Sequence, residues 1–117
     1  LIGFLLLGLL TVSFSSSAQA GGATLTWSPP STYEDGTSLP LADIGGYKVY
    51  YGLSSGNYTK NIDVGKVTTY AVTGLTEGTW FFAATCYRVS GSESAYSNEV
   101  NKVIKIAPLP PTGCTVK

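Results

Sequence analysis

The sequence predicts an all-β fold in which two antiparallel sheets pack face to face. Short stretches alternate apolar and polar residues, and none of them extends into helical periodicity. Clusters of Gly, Ser, Asn and Pro interrupt these stretches roughly every 8–12 residues, the spacing of a sandwich. The composition agrees: 8 Tyr, 14 Gly and only 12% charged residues suit pleated, half-buried strands better than solvated helices. A length of 117 residues allows one domain.

The elements follow in order. Residues 23–28 alternate, with Leu25 and Trp27 on one face, and Pro29-Pro30 ends the strand because proline cannot donate to a ladder. Residues 31–43 form a loop rich in turn formers, including Glu34-Asp35-Gly36-Thr37. Residues 47–51 give the clearest strand: Tyr47, Val49 and Tyr51 point one way, Lys48 and Tyr50 the other. A Gly/Ser/Asn turn leads to a strand over 58–64 with Tyr58, Ile62 and Val64 as its apolar positions. Gly65-Lys66 turns the chain into residues 69–75, where Tyr70 and Val72 share a face. After a corner at Thr76-Glu77-Gly78 comes a strand over 80–88. Trp80, Phe82, Ala84 and Cys86 face one way, and Phe81, Ala83, Thr85 and Tyr87 the other. A turn at 90–94 precedes a last strand over 96–106.

The ends differ from the middle. The first charged residue is Glu34, and residues 1–12 are almost purely apolar. That run falls short of the roughly 20 residues a membrane helix needs. A polar stretch and Ala18-Gln19-Ala20 follow, so residues 1–20 read as a secretory signal peptide cleaved after Ala20, with no stable membrane span in the mature chain. Residues 21–107 form the domain, and 108–117 a linker or the start of a following segment, stiffened by Pro108-Leu109-Pro110-Pro111.

Four stretches resemble a fibronectin type III domain in the form found in secreted bacterial proteins: Thr24-Leu25-Thr26-Trp27, Gly46-Tyr47-Lys48-Val49-Tyr50-Tyr51-Gly52, Leu75-Thr76-Glu77-Gly78-Thr79 and Ser94-Ala95-Tyr96-Ser97-Asn98-Glu99-Val100. The resemblance covers residues 23–106. It implies an immunoglobulin-like sandwich with sheets A-B-E and G-F-C-C′, and a core determined by Trp27, Tyr47, Val49, Leu75, Trp80 and Phe82. Two departures stand out. Only Gly21 and Gly22 separate the cleavage site from Ala23, so strand A is short or missing and strand B has an open edge. The C-terminal tail, with Thr115 and Val116, or a second chain is expected to supply the missing strand. Where the family has a tyrosine after the corner, Trp80 or Phe81 stands instead; the indole N–H of Trp80 would serve as a donor, whereas Phe81 would not.

The function classes narrow in the same way. Lys+Arg and Asp+Glu both number 7, which argues against nucleic acid as a partner. The chain has no His, so it has no Ser-His-Asp triad and no histidine metal ligand. No catalytic residue, metal site or cofactor is assigned. Glu34, Asp35 and Asp43 cluster around Gly36, but their spacing fits a turn better than a calcium loop. Cys86 should face the core and Cys114 lies beyond the last strand, so geometry argues against a disulfide between them. Asn57-Tyr58-Thr59 is a formal glycosylation sequon of no weight in a bacterial-type domain. Tyr50, Phe81 and Tyr87 should share the outer face of one sheet, as cross-strand packing or as a binding surface for protein or polysaccharide. The reading is a non-enzymatic module that is secreted, periplasmic or at the cell surface and acts as a spacer or protein-interaction domain. A carbohydrate-binding accessory of a secreted enzyme and a strand-exchange assembly domain are the alternatives.

Overall fold

A computed structural model describes residues 10–14 and 21–117. Its strands are β1 (Thr11–Phe14), β2 (Ala23–Ser28), β3 (Ile44–Gly52), β4 (Lys60–Gly65), β5 (Thr69–Val72), β6 (Gly78–Arg88) and β7 (Val100–Ile104). One turn of 3-10 helix, Leu41–Asp43, leads into β3. The strands form a three-stranded sheet in the order β1-β2-β5 and a four-stranded sheet in the order β4-β3-β6-β7. Every neighbouring pair is antiparallel. This is the two-sheet arrangement, A-B-E against G-F-C-C′, that the fibronectin type III resemblance implies. No helix among the described residues is long and apolar enough to cross a membrane.

The alternation in the sequence becomes the core. Leu25 and Trp27 of β2 face Tyr47, Val49 and Tyr51 of β3 and Trp80, Phe82, Ala84 and Cys86 of β6, and all are buried. Each fully buried large side chain in such a layer contributes about 1.5–3 kcal/mol. The Trp27 and Tyr47 rings lie tilted with centroids 5.6 Å apart, and Leu75 is buried within the same cluster. Trp80, near the start of β6, takes the corner role: its indole Nε1–H donates to the Thr76 carbonyl at 2.8 Å, while Phe81 turns to the outer face.

Strand A is short, as expected, but it comes from an unexpected part of the chain. The predicted leader over residues 1–20 falls mostly outside the described residues, but 10–14 are described and lie on the edge of β2. Val12 sits opposite Trp27 and Thr11 opposite Ser28. Leu10 and Val12 are buried and Thr11 is exposed, the alternation of a strand covering a core. The edge of β2 is therefore filled, and by this segment; the C-terminal tail, residues 105–117, is exposed throughout. An apolar run that suits a leader suits a buried strand equally well, and periodicity over so few residues does not separate them.

The expected last strand is also divided. Residues 93–99 run back along β6 with a kink before β7 begins. Glu93 makes a single bridge to Tyr87, the Ser94 and Ser97 amides donate to the carbonyls of Cys86 and Ala84, and regular pairing resumes at Val100 opposite Phe82. Within the kink two β6 amides lack a backbone acceptor. The Ser94 hydroxyl accepts from the Cys86 N–H at 3.0 Å and the Ser97 hydroxyl from the Ala84 N–H at 2.9 Å.

Trp27→Ala should lower unfolding stability by about 3–5 kcal/mol, the usual cost of emptying a large aromatic site. The Trp27 Nε1–H has no hydrogen-bond partner among the described residues, so Trp27→Phe forfeits no hydrogen bond and should cost much less. Urea titration of both variants checks the order.

Candidate functional site: the outer face of the four-stranded sheet

Register places Tyr50 opposite Ala83, Phe81 opposite Gly52 and Tyr87 opposite Gly46, so all three aromatic side chains belong to the outer face. They do not form one continuous surface. Lys48 and Thr85 form the pair between Tyr50 and Tyr87, and Glu93 crosses over them. The kinked segment lies on this part of the sheet, which explains why the outward residues Ala83 and Thr85 are as buried as the core.

Tyr87 is seated on glycine. A Cβ at Gly46 would stand 2.5 Å from the Tyr87 hydroxyl oxygen, so only glycine leaves room for the ring. The Tyr87 hydroxyl donates to Asp63 at 3.0 Å, and the Lys48 ammonium lies 5.9 Å from the ring centroid. Glu93 is the hub of the neighbouring network. It accepts from the Tyr50 hydroxyl at 2.5 Å and the Thr85 hydroxyl at 2.6 Å, and pairs with Lys48 at 3.6 Å. Burial raises the Tyr50 pKa, and the hydrogen bond to Glu93 raises it further, so Tyr50 stays a donor.

The ring that Tyr50 does meet is Tyr96, at 5.0 Å and edge-on; Tyr58 meets Tyr96 in the same way at 5.1 Å. Such edge contacts contribute about 0.5–1.5 kcal/mol each beyond area burial. The Tyr58 hydroxyl donates to Glu99 at 2.6 Å, and the Ser55 hydroxyl and Gly56 amide donate to the same carboxylate at 2.6 and 2.8 Å. Glu99 thereby ties the turn between β3 and β4 to the kinked segment. Those donors, Ser55 and Tyr58 foremost, hold the Glu99 carboxyl below its ordinary range.

Tyr96 is 54% exposed and divides two concavities. One, of about 220 Å³, is lined by Tyr50, Thr85, Glu93 and Tyr96. The other, of about 540 Å³, runs between Leu10, Pro29, Pro30, Tyr33 and Tyr96. Tyr96, Tyr58, Glu93 and Glu99 are the site residues that strand-by-strand reading missed. The available signal was Ser94-x-x-Ser97, two hydroxyl residues spaced to mend a kink.

The remaining candidates serve the fold. Asp35 accepts from the Thr37 amide at 2.9 Å and the Thr37 hydroxyl at 2.6 Å, closing the turn. Asp43 accepts from the Tyr33 hydroxyl at 3.2 Å, and the Arg88 guanidinium lies 5.0 Å from the Tyr33 ring centroid. Glu34 is exposed beside them, and the described residues hold no metal-ligating cluster. Cys86 is a buried free thiol with its pKa pushed up to about 11 by burial, and Cys114 is an exposed free thiol.

Comparison with known proteins locates this architecture. No family model and no curated protein matches the sequence. Solved structures do match. A fibronectin type III domain from the human KIAA0970 protein is 21% identical with a TM-score of 0.65, over 97% of this chain and 86% of that one. An Fn3-like protein from Clostridium thermocellum is 20% identical with a TM-score of 0.64, over 90% of this chain and 98% of that one. A family 28 exopolygalacturonase from Yersinia enterocolitica is 14% identical with a TM-score of 0.63, over 86% of this chain but 21% of the enzyme. The shared property is the fold.

Two predictions follow from this geometry. In the native protein a thiol reagent should label Cys114 at once and Cys86 only after unfolding, which timed mass spectrometry resolves. Because folding lowers the Glu99 pKa, its stabilisation is complete above the unfolded value of 4.5 and is lost as pH falls through the folded value. Glu99→Gln should therefore lower Tm at pH 7, and the gap from wild type should close as pH falls below 4.5 and through the lower folded value.

Proposed function

We propose that this chain, built on the fibronectin type III fold, is a non-catalytic module exported behind the leader at residues 1–20. It would work at the cell exterior or in the periplasm as a spacer or protein-interaction domain. The supporting observation is the use made of the polar groups on the outer face. Glu93 is occupied by Tyr50, Thr85 and Lys48, and Glu99 by Ser55, Gly56 and Tyr58. Carboxylates bound in this way lock the surface and are poorly placed to exchange protons with a substrate. A sandwich with a locked face holds its ends at a set separation. Residues 108–111, exposed and proline-rich, extend that spacing at about 3.1 Å per residue in the polyproline conformation.

A second reading, a carbohydrate-binding accessory, has one specific observation in its favour. The half-exposed Tyr96 ring stands between two concavities, an arrangement suited to stacking on a sugar. The likeness to part of an exopolygalacturonase gives polygalacturonate as the polysaccharide to try first.

Affinity electrophoresis through gels containing polygalacturonate separates the two readings. The spacer reading expects unchanged mobility for wild type and for Tyr96→Ala. Retardation of wild type that drops at least tenfold in Tyr96→Ala, with Tm preserved, would replace it by the accessory reading.

A further inference from the structure

Two features of the chain meet at the edge of β2. The segment that fills the edge, residues 10–14, lies inside the stretch that reads as a leader, so cleavage after Ala20 would take β1 away with it. What would be uncovered is specific. Leu10 and Val12 are buried, spaced two apart, on the same side as Leu25 and Trp27. Asn98 grips the strand through its backbone alone: its Oδ1 accepts from the Val12 N–H at 2.8 Å and its Nδ2 donates to the Val12 carbonyl at 2.9 Å. The slot therefore asks for two apolar residues at alternate positions, an extended backbone, and no particular sequence otherwise.

The C-terminal tail meets that requirement. Leu10-Thr11-Val12-Ser13 and Cys114-Thr115-Val116-Lys117 share the Thr-Val pair in the same register. Aligned on it, Cys114 and Val116 take the inward places of Leu10 and Val12, and Thr115 the outward place of Thr11. Val116 is 97% exposed where it stands.

Direction decides which copy supplies it. Asn98 lies beside Val12, opposite Trp27, and Lys102 reaches the Gly22 carbonyl at 2.9 Å, so β7 runs alongside β1 in the same sense. The tail leaves β7 at the far end of the slot. To enter as β1 does, antiparallel to β2, a chain's own tail would climb about 27 Å back past Asn98 at roughly 3.3 Å per residue and then reverse. Residues 105–113 span about 30 Å at full extension, which leaves no length for the reversal, and the prolines at 108, 110 and 111 resist it. A tail passing to a second copy is spared the climb. With two copies side by side and antiparallel, the end of β7 in one lies level with the entry to the other's slot. Residues 105–113 then need only turn across, and reciprocal exchange closes as a two-fold dimer.

We propose that processing opens the β2 edge and that the Cys114-Thr115-Val116 segment of a second copy fills it, so that the mature module assembles by reciprocal exchange of tails. This rests on the export reading above. The test expresses the full chain in a secreting bacterial host, recovers the exported product, and measures its intact mass and its sedimentation under reducing conditions. The expected result is a chain beginning at Gly21 that sediments at twice its mass. Val116→Asp should return it to monomer, and excess peptide of the sequence of residues 10–14 should dissociate wild type into peptide-filled monomers. A product that keeps residues 1–20 overturns the processing itself. A product beginning at Gly21 overturns the exchange alone if it is monomeric, or if its dimer resists the peptide. Should Val116→Asp fail to fold, peptide competition on wild type decides.

Discussion

Two serine hydroxyls hold together the part of this molecule most open to function. The segment after β6 cannot run straight, and where it kinks the amides of Ala84 and Cys86 lose their backbone partners. These amides lie in β6, one of the two inner strands of the larger sheet, where an unpaired donor costs about 1–3 kcal/mol. Ser97 and Ser94 accept from them instead. With the ladder mended the kink is tolerated, and the kink supplies Glu93, Tyr96, Asn98 and Glu99, the residues that organise the outer face and the β2 edge.

Each of those side chains crosses to a different element. Glu93 draws Tyr50, Thr85 and Lys48 together over β3 and β6. Tyr96 stands against Tyr50 and Tyr58, and Glu99 fastens the turn that carries Ser55 and Tyr58. The outer face is thus a hydrogen-bonded lid over Ala83 and Thr85. Such a surface is held in one arrangement, because its polar atoms are already matched to one another. The half-exposed ring of Tyr96 is its most available contact.

The sheet edges are guarded unequally. β4 carries Lys60 and Asp63 along its length, charges that oppose pairing with another chain. β5 is only four residues long. The edge of β2 has no such protection of its own: it borders Trp27 in the core and is covered by the four-residue β1, which pairs with it from Thr11 to Phe14 and is held on its other side by Asn98.

Much of the fold was legible in the sequence. Alternation assigned Trp27, Tyr47, Val49, Trp80 and Phe82 to the interior, because a strand with one buried face repeats every second residue and a slip of one position would expose the whole set. The turn residues separated the strands. Tertiary structure decided the rest. Tyr50, Phe81 and Tyr87 shared a face on paper, but only the path of residues 93–99 determined that Tyr50 would meet Tyr96 and that Thr85 would be covered. The role of residues 10–14 was likewise undecidable along the chain: an apolar run reads the same whether it is to be discarded or buried. Periodicity reports which way a side chain points, and long-range packing alone determines what waits there to meet it.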